Sequence, residues 1–109
     1  MKTLIEDNLE DLIGDGSYVL AVMNETRFPK SISKVRNVVD KLESSFPSVI
    51  FIYINEPDNP NSIKRLSPEG VEYFPIFYFI KEGEVEDIYF GVGEETLTKI
   101  LKNYIWNLE

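Results

Sequence analysis

The segment Thr26-Arg27-Phe28-Pro29-Lys30-Ser31 brings together two hydroxyls, two cations and an aromatic–proline pair, and Lys34 follows one helical turn after Lys30. If a helix opens near Pro29, Arg27, Lys30 and Lys34 stand at its N-terminal end. There the helix dipole adds to their charge, and a carboxylate or phosphate could be held. The plainer alternative is an exposed polar face. Ser31 has no histidine anywhere in the chain and no evident lysine base, and a serine needs activation before it attacks. A hydrogen bond at a helix terminus is its expected role. A second group, Tyr73-Phe74-Pro75, is apolar. Together with Phe28 and Pro29 it could form a surface for a partner, or the rings could turn inward and fill space.

Composition removes whole classes of chemistry. The 109 residues contain no cysteine and no histidine. A thiolate is the nucleophile of disulfide exchange, so this chain cannot exchange disulfides itself. Zinc and haem sites of the usual kind lack their ligands, and imidazole catalysis is excluded. The carboxylates Glu84, Glu86, Asp87, Glu94 and Glu95 suit hard cations, but their spacing is not that of a calcium loop. A solvated face is expected, with no metal and no cofactor. Eleven basic and 19 acidic residues give 11 − 19 = −8, which opposes docking on nucleic acid or anionic lipid. The early acids Glu6 and Asp7 argue against a signal peptide. No apolar run approaches the ~20 residues that span a bilayer. A cytoplasmic protein of one domain, 1–109, is the expectation.

Hydrophobic patterning then places the elements. Leu4, Ile5, Leu9, Leu12 and Ile13 recur at helical spacing, Thr3 and Glu6 form a capping-box pattern, and Gly14-Asp15-Gly16 closes the segment. A helix over 4–13 is read, with a short edge strand over 2–5 as the alternative. Continuous apolar runs over 18–23, 49–54 and 76–80 read as strands buried on both faces. Pro29 suits the first turn of a helix, whose stripe is Ile32, Val35, Val39, Leu42 and Phe46. Two prolines and two asparagines mark a loop over 56–61, followed by a short helix over 62–66. Lys81-Glu82-Gly83 turns the chain back into a hairpin strand over 85–90. The last helix opens at Glu94-Glu95 and buries Leu97, Ile100, Leu101, Tyr104 and Leu108, with Trp106 as a core or edge anchor. The order α, β, α, β, α, β, β, α predicts an α/β domain: a mixed central sheet, parallel early and antiparallel late, sandwiched by helices.

This order resembles the thioredoxin family. Val19-Leu20-Ala21-Val22-Met23-Asn24 looks like the strand that leads to the family's redox loop, and Tyr73-Phe74-Pro75-Ile76 like its cis-proline loop. Lys81-Glu82-Gly83-Glu84-Val85 is similar to its hairpin, and Gly91 matches a family glycine. The resemblance implies a thioredoxin-like fold with a cis peptide before Pro75, ahead of the C-terminal hairpin. A gapless match puts the family's cysteine pair on Phe28 and Ser31, and a one-residue shift puts it on Pro29 and Ile32. The segment 26–31 also resembles the monothiol bacilliredoxin-like branch, with Phe28 in place of the sole nucleophile. Val22 stands where thioredoxin buries an aspartate.

The resemblance implies a family whose thiol chemistry this chain lacks, so it is not expected to be an enzyme. The expected role is a protein- or peptide-binding adaptor. Its groove would be lined by Phe28, Pro29, Ser31, Tyr73, Phe74 and Pro75, with Phe74 backbone groups free to pair with an extended peptide. Alternatives are an accessory to thiol–disulfide homeostasis whose thiols come from a partner, and a structural subunit of a complex. A monomer or weak homo-oligomer is expected.

Overall fold

A computed structural model describes residues 1–14 and 16–106, with only the backbone of 104–106; Asp15, Leu108 and the side chains of Tyr104 and Trp106 fall outside the described residues. Ten elements follow in order: β1 (Lys2–Thr3), α1 (Leu9–Leu12), β2 (Ser17–Met23), α2 (Ile32–Ser45), β3 (Ile50–Asn55), a short 3-10 turn (Glu56–Asp58), α3 (Pro60–Leu66), β4 (Ile76–Lys81), β5 (Glu84–Phe90) and α4 (Glu94–Trp106).

The strands form one mixed sheet in the order β1-β3-β2-β4-β5. β1 and β2 run parallel to β3, while β2/β4 and β4/β5 are antiparallel. The centre of the sheet is apolar on both faces because its strands do not alternate with polar residues. Val19, Ala21, Met23, Phe51, Tyr53, Phe77 and Phe79 face α2 and α4, packing on Val35, Val39, Leu42, Leu97 and Leu101. Tyr18, Leu20, Val22, Ile52, Ile54, Ile76, Tyr78 and Ile80 face the other way, onto Leu4, Leu9, Ile63 and Leu66. Each fully buried side chain of this size contributes about 1.5–3 kcal/mol, so two such layers dominate the balance against chain entropy. Val22 is wholly enclosed, where a carboxylate would be costly.

The first thirteen residues differ from the 4–13 helix, and the edge-strand alternative is the one realised. The cause is Asp7. Its backbone is left-handed, with φ of 50°, and its carboxylate accepts from the Asn61 and Ser62 N–H groups at 3.0 and 2.8 Å. A residue so placed ends any helix through it, leaving α1 a single turn from Leu9. Thr3 lies in β1, so the capping box does not form. Similarly, α2 starts at Ile32, not near Pro29. Phe28 N–H bonds back to the Asn24 carbonyl (2.9 Å) and Ser31 N–H to that of Phe28 (3.2 Å). These successive turns consume the chain before the helix begins.

The hairpin between β4 and β5 turns on Glu82 and Gly83, both at positive φ (51° and 81°). That is the signature of a type I′ turn, whose twist matches the strands it joins. A register shift after Phe79 leaves Glu86 as an extra residue in β5, a bulge.

Candidate functional site

The loop that follows β2 is tied to the end of β3 by side chains. Asn24 accepts from the Arg27 N–H at 3.0 Å and donates to the Glu56 carboxylate at 2.9 Å. The Asn55 side-chain oxygen accepts from the Glu25 N–H at 3.0 Å. Asn24 is buried, so these bonds satisfy a side chain that would otherwise be destabilising. They also fix where residues 26–31 leave the sheet.

Phe28 emerges from this loop half-buried, packed on the core layer beneath α2 and α4. Its ring meets Phe74 at a centroid distance of 6.2 Å and a tilt of 45°, within the range of favourable aromatic pairs. The Arg27 guanidinium lies over the outer face of Phe28, 5.2 Å from its centroid. Two segments far apart in sequence therefore meet through one aromatic pair. Phe28 thus covers core and still keeps part of its ring accessible.

The second wall is the segment before β4. The Phe74–Pro75 peptide is cis. The Pro75 carbonyl accepts from the Gly91 N–H at 3.1 Å. The Phe74 N–H and carbonyl have no hydrogen-bond partner among the described residues. Tyr73 is 69% exposed and meets Phe90 edge-on at 6.2 Å. Gly91 takes a φ of 126°, a conformation that only glycine adopts without strain.

Other expected residues lie at the margin. Pro29 is exposed. Ser31 is the residue before α2, but its side chain makes no capping bond. Its backbone is already helical (φ −81°, ψ −15°), whereas a capping side chain needs a non-helical backbone to reach the next N–H groups. Arg27, Lys30 and Lys34 are exposed and form no ion pair among the described residues, and the first turn of α2 holds no acid. Among the described residues the one contact made by their charged groups is that of the Arg27 guanidinium with the Phe28 ring. Among the described residues no group of three or more acids is placed to hold a metal ion. No helix there is long and apolar enough to cross a membrane.

Sequence reasoning passed over one exposed surface. Cross-strand partners share a face, and Val85, Ile88 and Phe90 pair with Ile80, Tyr78 and Ile76. All three therefore point to the α3 side, and they are 39, 41 and 56% exposed. The bulge at Glu86 hides them, because strict alternation would put Val85 and Ile88 on opposite faces.

No protein-family model matches the chain, and none of the curated proteins matches it. Solved structures do. The oxidised thioredoxin of Plasmodium falciparum is 12% identical, with a TM-score of 0.81 over 95% of this chain and 97% of its own. Mitochondrial thioredoxin 3 of Saccharomyces cerevisiae is 19% identical, with a TM-score of 0.79 over 94% of each chain. Fasciola hepatica thioredoxin is 24% identical, with a TM-score of 0.75 over 94% of this chain and 98% of its own. At such identities the likeness is one of fold: the chain has the thioredoxin fold, and it has it without a cysteine.

Proposed function

We propose that this chain is a redox-inactive, thioredoxin-like protein-binding module, one cytoplasmic domain over 1–109, that takes an extended peptide of a partner protein. Phe28, Pro29, Ser31, Tyr73, Phe74 and Pro75 line the groove. The observation that carries the reading is the unpartnered backbone of Phe74, bounded by the Phe28–Phe74 ring pair on one side and exposed Tyr73 on the other. An extended chain passing Phe74 would gain two backbone hydrogen bonds, which supply affinity, while the rings select apolar side chains. Without sulfur the contact does not lead to covalent chemistry, so binding is the whole activity. The chain acts as a monomer or weak homo-oligomer and needs no cofactor.

The test is selection from a displayed library of random peptides, followed by NMR titration of the recovered peptide. Extended apolar sequences should be enriched, and the amides of Phe74 and Ile76 should shift. Phe28→Asp should weaken the best peptide about tenfold, the loss expected from one disrupted apolar contact. Peptides that leave residues 28–31 and 73–75 unshifted would remove this function.

A further inference from the structure

The apolar stripe on β5 borders a depression of about 370 Å³, between the strand and the segment that follows α3; Glu69, Glu72, Tyr73, Ile76, Ile88 and Phe90 are among its walls. Small α3 ends at Leu66 and leaves this end of the sheet uncovered. Ile76 at the floor is buried, while Ile88 and Phe90 are 41 and 56% exposed. Exposed apolar side chains that adjoin one another beside an apolar floor mark interaction sites.

The charge around it selects the occupant. Two acids line the depression and no basic residue does. Arg65, which reaches the adjoining hairpin from α3, is already engaged: it pairs with Glu10 at 2.8 Å and donates to the Gly83 carbonyl at 3.2 Å. A second copy of this chain would set Glu69 and Glu72 against their own kind and bring another charge of −8. Addition of a strand along the free edge of β5 is opposed as well. There the Asp87 carboxylate accepts from the Ile88 N–H at 2.8 Å, the kind of side-chain block that protects edges.

We infer that the face formed by Val85, Ile88 and Phe90, with the depression beside it, is a second docking surface, and that it takes a short cationic segment of a partner protein with apolar side chains between its lysines or arginines. The apolar side chains enter the depression, and the cations meet Glu69 and Glu72. The surface adjoins the peptide groove at Tyr73, whose ring meets Phe90, and at Ile76, which follows Pro75; amides 28–31 report on the groove and 85–90 on this surface, so each stands or falls by itself.

The probe is the synthetic heptapeptide Lys-Leu-Lys-Phe-Lys-Leu-Lys, with its glutamate counterpart as control, titrated by NMR into the full chain. The lysine peptide should shift amides of residues 67–73 and 85–90, and the glutamate peptide should shift neither. Ile88→Thr, which keeps a β-branched residue on the strand, should weaken binding about tenfold. Glu69→Gln with Glu72→Gln should weaken it several-fold and flatten its salt dependence, with the thermal midpoint unchanged. Shifts confined to 28–31 and 73–75 would overturn this surface while leaving the groove intact. Equal binding of both peptides, no binding of either, or a dimer that Ile88→Thr dissociates would also overturn it.

Discussion

Tyr53 and Tyr78 are buried phenols on opposite faces of the sheet, and they differ in one bond. The Tyr78 hydroxyl pairs with the Ser67 hydroxyl at 2.5 Å. The Tyr53 hydroxyl is buried with no hydrogen-bond partner among the described residues, beneath the Arg36 guanidinium, which lies 5.5 Å from its ring centroid. Burial pushes both pKa values above the ordinary 10.0; the Glu25 charge adds to the rise at Tyr53, and the Ser67 bond opposes it at Tyr78. A folded value above the unfolded one means that the stability tied to each neutral phenol is fully present below pH 10 and is lost as pH rises beyond it. The two differ at neutral pH. Tyr53→Phe removes an unsatisfied group and should leave stability unchanged or raise it by up to about 1 kcal/mol. Tyr78→Phe removes a made bond and should cost about 1 kcal/mol. Urea unfolding at pH 7 checks both, and the opposite order would contradict the bonding seen here. The sequence carries no sign of this difference, because each tyrosine sits in an equally apolar run. It does carry the aromatic pair: Phe28 and Phe74 both stand out in it, and the fold brings their rings together. Ser31 failed as a cap for a reason of backbone angle, and composition cannot show such an angle.

At the scale of elements, one carboxylate holds two helices in place. Asp7 ends the approach to α1 and caps α3 across a gap of more than fifty positions. Its pKa lies below the ordinary 3.8: desolvation pushes it up, but the Ser62 and Asn61 N–H groups hold the charged form more strongly. A folded value below the unfolded one means that the unfolded chain binds the proton more readily. The cap's contribution is therefore complete above about pH 3.8 and disappears as pH falls through the lower, folded value. Asp7→Ala should cost about 1 kcal/mol at pH 7, and the difference from the parent should shrink in acid. Thermal unfolding at both pH values would show it, and a deficit independent of pH would assign the loss to the strained backbone instead. The periodicity of the five apolar positions holds only in part: Leu4, Leu9 and Ile13 are buried, while Ile5 and Leu12 are 82 and 37% exposed. It arises from a strand end, a turn and one helical turn that together present apolar side chains to a single layer. Spacing alone cannot separate that arrangement from a continuous helix. The buried strands are legible for the converse reason: their enclosed stretches are apolar and aromatic throughout, and Ser17, Asn55 and Lys81 stand only at their ends.

The whole molecule was readable where its order of elements admits few arrangements. Strand–helix–strand units require crossovers, and a two-residue turn requires an antiparallel pair, so the mixed sheet followed from the chain's order. The outer face of β5 did not, because a bulge resets its alternation and the length of α3 decides what stays uncovered. The opposite margin of the sheet has a different consequence. β1 is joined to β3 through two residue pairs, Lys2 with Ile52 and Thr3 with Tyr53, and one further bond from Leu4 N–H to the Tyr53 carbonyl at 2.9 Å. These contacts, with the Met1 ammonium on Glu43 at 2.9 Å and Leu4 in the core, all join the chain's start to distant segments, so they cannot repay the entropy of closing so long a loop until β3 and α2 are in place. The first strand in the chain is then the last to dock and the first to leave. Leu4→Ala should hasten unfolding by most of its roughly 2–5 kcal/mol effect while the refolding rate barely changes. Stopped-flow measurements in which refolding slows as much as unfolding accelerates would instead place the chain's opening residues in the nucleus from which the fold grows.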